Sequence, residues 1–437
     1  MIENRQVRFK RSETRVPDGL PEAVEAAFPG RQLRWYVGRA NAEEVVVEAT
    51  VASEPVTPYR DSVLEQRYPG RSVVVSVVPT GVGCSIGGFA GDAAPVTRLL
   101  AAATDYLVTN PNAVNASDFI RLDDNVLYVE GYCIDLLCRG LVNLHLPYAN
   151  RVGVVLERSS AARLDAAFNV INAARAVHGV NVVHCAVTEG PIGSRCRRND
   201  SGGFVGTIDR PETLFAACEA LLRHGADAIA VATNVADLPL DEYALHFAGR
   251  AANPVGGVEA IISHSVVNRF RVPAAHAPLA NVRNLALESA VVDARGAGEM
   301  ASTSGLACVL IGLARAPQIS PPPAGRSREI LNLNNVLAVV APANCMGGIP
   351  ALFAHRAGIP VIAVAGNETL LGVTAEQLGM AGVLHAGSYA EAAGLLLALR
   401  HGLAPASLVR PLATLRHAPP GQPVAAAPPL YAGAGVE

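Results

Sequence analysis

From Ser72 to about Arg400 the chain alternates short apolar runs with longer stretches of helical character, and this alternation constrains its fold more than any other feature. The runs Ser72–Val78, Tyr106–Thr109, Arg151–Leu156, Asn181–Ala186, Ala228–Ala232, Ala260–Ser263, Ala307–Ile311, Val336–Val340 and Pro360–Val364 read as buried strands. Pro95–Ala103, Ala161–Val177 and Pro211–His224 read as helices, the last two stopped by His-Gly, a good C-terminal signal. Strands separated by helices become parallel neighbours, so an α/β fold is expected, with a largely parallel sheet covered by helices on both faces. A composition 50% apolar and only 17% charged suits strands buried on two sides.

The first 70 residues read as a small attached α+β unit: a helix over Leu20–Phe28 ended by Pro-Gly, then two strands around a polar turn. No chemistry is assigned to it. The body divides into residues 71–315 and 328–410, joined by the proline-rich connector 316–327, and residues 411–437 read as a loose tail without apolar periodicity.

A net charge of −3 gives no basic field for phosphate backbones, so no nucleic-acid partner is expected. No apolar run approaches the roughly 20 residues that span a bilayer, and the opening MIENRQVRFKRSETR has no signal-peptide core. The expectation is a cytoplasmic protein without a membrane partner. Its large apolar fraction suggests a homo-oligomer. The 8 cysteines show no CxxC spacing and read as free thiols. Lys10 is the single lysine, which removes Schiff-base and P-loop chemistry from the body. No organic cofactor is predicted.

Two stretches share a plan of apolar run, proline, cysteine and paired glycines: VVSVVPTGVGCSIGG around Cys84 and VVAPANCMGGIP around Cys345. Each follows a predicted strand, on the edge where parallel sheets gather ligands. The similarity suggests two pseudo-equivalent halves that offer a thiol each to one site. Gly83, Gly87, Gly88, Asn344, Gly347 and Gly348 would cradle a carboxylate with backbone N–H groups. A helix start after Cys345 would favour its thiolate. Buried space-filling is the competing reading for either cysteine and is accepted for Cys133, Cys138, Cys185, Cys218 and Cys308.

GGVEAIISHSVVNRFRVPAAHAP carries Glu259, His264 and His276, which suit acid–base work; a divalent metal on the two histidines is the alternative. Asn110, Asn112 and Asn115 after one strand, with Asn367 and Glu368 after another, are candidate substrate contacts. Asp92 reads as a helix cap, and residues 188–204 as a glycine-rich loop carrying Arg195, Arg197 and Arg198.

The segments PTGVGCSIGGFAGDAAP, TNPNAVNASDF, YVEGYCIDLL, GGVEAIISH, AHAP and VVAPANCMGGIPALFAHRAGIPVIAV, in that order, resemble the family called domain of unknown function 3326. The resemblance covers roughly residues 70–400. It implies one folded body with the first 70 residues and the tail as additions, and it implies no activity. From the residues themselves, the leading expectation is a cytosolic enzyme without organic cofactor. It would act on a small carboxylate- or amide-bearing metabolite by thiol and histidine proton transfer, of isomerase, racemase or lyase type. A cysteine-dependent amide or lactam hydrolase, a divalent-metal enzyme and a non-catalytic metabolite-binding protein are the alternatives.

Overall fold

The computed structural model describes residues 1–56, 71–79, 81–110, 122–235, 240–279, 291–302, 304–321, 330–412 and 414. Asn112 and Asn115, much of the 316–327 connector and nearly all of the tail lie outside them.

Six strands form a wholly parallel sheet: β4 (Val73–Ser76), β5 (Tyr106–Thr109), β6 (Val126–Tyr128), β16 (Val336–Pro342), β17 (Val361–Val364) and β18 (Leu384–Ala386), in the order β18-β17-β16-β4-β5-β6. The first three strands run outward on one side and the last three on the other, so the order reverses between β4 and β16. Alternate residues serve opposite faces. Val73, Val75, Val339 and Ala341 enter one core, with the helices Gly131–Cys138 and Ile349–Arg356. Val74, Ala338 and Val340 enter another, with the helices Ala94–Ala101 and Tyr389–Arg400. The two-residue period and apolar runs buried on both sides are what a doubly covered parallel sheet requires.

Between Tyr128 and Val336 the chain builds a second parallel sheet, order β13-β12-β8-β9, from β8 (Val152–Leu156), β9 (Val182–Val187), β12 (Ala228–Thr233) and β13 (Ala274–Pro278). The expected parallel α/β body is present, with its strands shared between two sheets. A short antiparallel sheet, β14-β7-β15, pairs β7 (Asn143–His145) with β14 (Gln318–Ser320) and β15 (Ile330–Leu331). The helix Ala161–His178 stops at Gly179, whose φ of 67° is left-handed, as the His-Gly signal predicts.

The N-terminal strands β1 (Ile2–Lys10), β2 (Gln32–Ala40) and β3 (Glu44–Ala52) lie in an antiparallel sheet completed by two strands of the body, β10 (Ser194–Arg198) and β11 (Phe204–Ile208). β1 pairs directly with β11, Ile2 opposite Ile208. Residues 188–204, expected as a loop, thus supply part of a hairpin. Its Arg195 and Arg198 form exposed ion pairs with Asp209 and Glu242 at 3.1 and 3.0 Å.

Two predicted strands are helices. Ala260–Ser263 lies inside the helix Gly256–Phe270, and Ala307–Ile311 inside Gly305–Leu313. Both runs are short and apolar, and such a run looks the same in a buried helix as in a buried strand. Among the described residues no single helix is long and apolar enough to cross a membrane.

The helix Gly256–Phe270 is the central element, packed on β11, β13 and the helix Gly131–Cys138. Val258, Ile261, Ile262, Val266 and Val267 are at most 1% exposed. Each such side chain contributes roughly 1.5–3 kcal/mol. A buried polar group left unbonded costs roughly 1–3 kcal/mol, enough to cancel one of them. Ser263, His264 and Asn268 are also buried, and each is bonded: Ser263 and His264 to Glu130, Asn268 to the Tyr132 hydroxyl at 2.8 Å.

Close approach to β11 depends on glycine. A Cβ at Gly257 would fall 2.4 Å from the Phe204 carbonyl oxygen, and one at Gly206 would fall 2.5 Å from Val258. Gly257→Ala is therefore expected to lower stability by about 1–3 kcal/mol through displacement of the helix. Urea denaturation checks this; an unchanged midpoint would show that the contact yields freely.

Candidate functional site

The reversal point between β4 and β16 is where a parallel sheet presents loops from two neighbouring strands to one ligand. The cysteine turns emerge there side by side, since Ser76 of β4 pairs with Val340 of β16. The segment after β17 clasps both. Ser85 N donates to Glu368 O at 2.8 Å, and Leu370 N to Val82 O at 2.9 Å. The Asn367 side chain bonds both N–H and C=O of Ile86 at 2.8 Å, and the Tyr389 hydroxyl at 2.9 Å. On the other turn, Asn344 bonds the Thr369 backbone at 2.9 and 3.0 Å, and Met346 N donates to Val373 O.

These bonds assign work to several candidate ligand contacts. Asn344 and Asn367 use both ends of their amides to hold the loops together. Glu368 contributes its carbonyl, while its side chain stands exposed. Gly347 permits close approach of β2: a Cβ there would meet Val37 O at 2.4 Å, and Val37 N donates to Gly347 O at 2.7 Å. Gly348 forms a bridge with Tyr36 and precedes the helix Ile349–Arg356. Gly83 and Gly87 take left-handed turn positions, and a side chain at Gly88 would strike Cys84 O. Asp92 does not cap the following helix; it accepts from Gly87 N and Phe89 N, closing the Cys84 turn. Burial pushes its carboxyl up to about 6.

Cys84 and Cys345 are 2% and 7% exposed. Burial raises both thiols: Cys84 well above its ordinary range, with the field of Cys345 adding to the effect, and Cys345 up to about 12, with Arg34 working the other way. Cys84 Sγ donates to Pro79 O at 2.8 Å. The accessible thiolate expected at Cys345 is thus replaced by a buried thiol that holds its proton at neutral pH, because desolvation outweighs any effect of the helix start.

Further along the same edge, Asn110 follows β5 and accepts from Val78 N at 3.2 Å. Glu130 follows β6 and caps the helix Gly131–Cys138, its Oε2 accepting from Tyr132 N at 2.7 Å and Cys133 N at 3.3 Å. Its Oε1 takes Ser263 Oγ at 3.1 Å and His264 Nδ1. Arg34 reaches the edge from β2 and donates from Nε to Asp135 Oδ2 at 2.6 Å. Burial raises the Asp135 carboxyl from its ordinary range, and Arg34 opposes that shift.

The structure therefore gathers Cys84, Cys345, Asn110 and His264 on the carboxyl edge of the six-stranded sheet. Glu259 and His276 form a separate pair beside the second sheet: His276 Nδ1 stands 3.5 Å from Glu259 Oε1, and its Nε2 bonds Thr233 Oγ1 at 2.7 Å. The strand expected to carry Glu259 and His264 is a helix, and residues five apart on a helix point in different directions. Among the described residues no group of three or more His, Cys, Asp or Glu is placed to hold a metal ion. Sequence reasoning passed over Glu130, Asp135 and Arg34. An acid directly after an apolar strand, as in NVLYVEG, was the available signal for Glu130; nothing local marked Arg34.

Fold and site together define a parallel α/β protein with two buried thiols at the reversal point of its larger sheet and a buried carboxylate–histidine pair further along the same edge. Residues 73–409 match the model of the family described as protein of unknown function (DUF3326), and the chain belongs to that family. It is 38% identical over 345 residues to an uncharacterized lipoprotein of Synechococcus sp., an alignment spanning 78% of this chain and 94% of that relative. No solved structure matches it. The relative's lipoprotein name corrects the cytoplasmic location expected from the opening of the sequence, and that assignment is withdrawn.

The thiol environments give a direct test. Cys185 alone among the cysteines is partly exposed. Iodoacetamide at neutral pH is expected to label Cys185 first and Cys84 and Cys345 slowly, with Cys345 accelerating as pH rises. Peptide mapping by mass spectrometry reads the order, and labelling of Cys345 as fast as Cys185 would contradict the burial argument.

Proposed function

We propose that the chain is an enzyme that moves a proton on a small carboxylate- or amide-bearing metabolite without an organic cofactor, as an isomerase, racemase or lyase. The observation that carries this reading is the buried Glu130–His264 pair, 5% and 3% exposed, at the carboxyl edge of the six-stranded sheet. A carboxylate on Nδ1 fixes the imidazole's orientation and leaves Nε2 as the atom that exchanges a proton with substrate. Cys345, which keeps its proton at neutral pH, serves as the acid. Its raised thiol speaks against a hydrolase that needs a ready thiolate nucleophile. A metal enzyme built on His264 and His276 finds no support, since the two rings are engaged with different carboxylates.

The test uses heavy water. Purified protein is incubated with mixed carboxylate metabolites in deuterium oxide, and products are weighed by mass spectrometry. The expected result is deuterium gain at a carbon next to a carbonyl, slowed about 10²–10⁴-fold in His264→Gln. Amide hydrolysis without isotope exchange would favour the hydrolase, and retention of an unaltered ligand would favour a binding protein.

A further inference from the structure

We propose that Arg34, on β2 of the N-terminal sheet, is the receptor for a substrate carboxylate, so that the site takes small carboxylic acids in preference to their amides. This deepens the preceding proposal and rests on its placement of the site at the carboxyl edge of the six-stranded sheet. Arg34 lies outside residues 73–409, the part of the chain that matches the family model.

Three polar groups from three elements surround one point beside the start of the helix Gly131–Cys138. Measured from where a Cβ at Gly131 would stand, His264 Cε1 is 3.3 Å away, Asn110 Nδ2 3.6 Å and Arg34 Nη1 3.7 Å. Residue 131 has no side chain, so no atom of its own stands between these groups. Asn110 uses Oδ1 to accept from Val78 N, which turns its Nδ2 donor toward that point. Among the described residues Arg34 engages only Nε, leaving both terminal nitrogens as donors. A guanidinium and an amide N–H facing one point suit an acceptor with two charged oxygens better than a neutral amide.

The neighbouring carboxylates do not spoil this. Glu130 is covered by His264, Ser263 and two backbone N–H groups. Asp135 holds Arg34 through Oδ2 alone, and its Oδ1 has no partner among the described residues although the side chain is 1% exposed. The pair thus orients the guanidinium while keeping hydrogen-bond capacity on both members. The Arg34 side chain is 25% exposed, so the residue is not sealed within the core.

The experiment measures binding by the full-length protein of acetate, malonate, succinate and citrate, and of acetamide, malonamide and succinamide, using ligand-observed NMR and calorimetry. Wild type is expected to bind at least one acid and to prefer it over its amide. Arg34→Met should weaken the acid at least about tenfold, and Arg34→Lys, which keeps a charge opposite Asp135, by less. If Arg34→Met does not fold, Arg34→Gln with Asp135→Asn removes both charges of the pair and carries the same expectation. No bound acid in wild type, equal binding of acid and amide, or full affinity in a folded Arg34→Met protein would each overturn the assignment. Arg34-dependent acid binding without isotope exchange would sink the catalytic reading alone, while exchange that survives Arg34→Met would sink the receptor alone.

Discussion

A helix buried on every side can keep polar residues only if its neighbours supply partners for them, and the helix Gly256–Phe270 carries Ser263, His264 and Asn268 into the centre of the molecule. The partners are Glu130 and Tyr132, at the start of a helix that follows the last strand of one half of the six-stranded sheet. One short sequence, VEGY, therefore follows a strand, caps a helix and anchors the helix Gly256–Phe270. Packing and candidate chemistry depend on the same carboxylate. Replacing Glu130 would leave the Nδ1 of His264, 3% exposed, without its carboxylate partner, so the group central to the proposed chemistry is also central to stability.

Much of the fold was legible in the sequence because parallel strands buried on both faces leave a strong mark. The limits of β5, β8 and β16 fall within two residues of the apolar runs that predicted them. Periodicity fails where burial is complete. AIIS and ACVLI are as apolar as any strand, and only the tertiary setting makes them helical. The site was half legible on the same physical grounds. Cysteine turns after strands announce themselves through glycine and proline, and the two turns do emerge together. Arg34 sits in an alternating strand, QLRWYVGRA, whose other face would ordinarily meet solvent; that it meets the sheet edge follows from how β2 docks on Gly347, which no local pattern encodes.

The division of labour among the candidate residues follows from accounting for each hydrogen bond. Asn344 and Asn367 look like ligand contacts by position, yet both ends of their amides bond protein groups that hold the loops together. Groups with donors unspent among the described residues, Arg34 and Asn110, lie beside Gly131. A site built this way has rigid walls, because its loops are tied to one another before any ligand arrives, and selectivity then rests on a few donors rather than on loop closure.

The long excursion between β6 and β16 also has a consequence for how the protein is made. The central pairing of the six-stranded sheet, Val75 with Val339 and Ser76 with Val340, joins residues that leave the ribosome far apart in time. The amino-terminal half of that sheet emerges with one flank of β4 unpaired, and the helix that covers Glu130 must be synthesised before either can settle. Contacts so distant in sequence slow folding and prolong exposure of an open strand edge. The two cysteine turns come together only after Cys345 has been translated, so a shorter chain displays neither a finished sheet nor both turns.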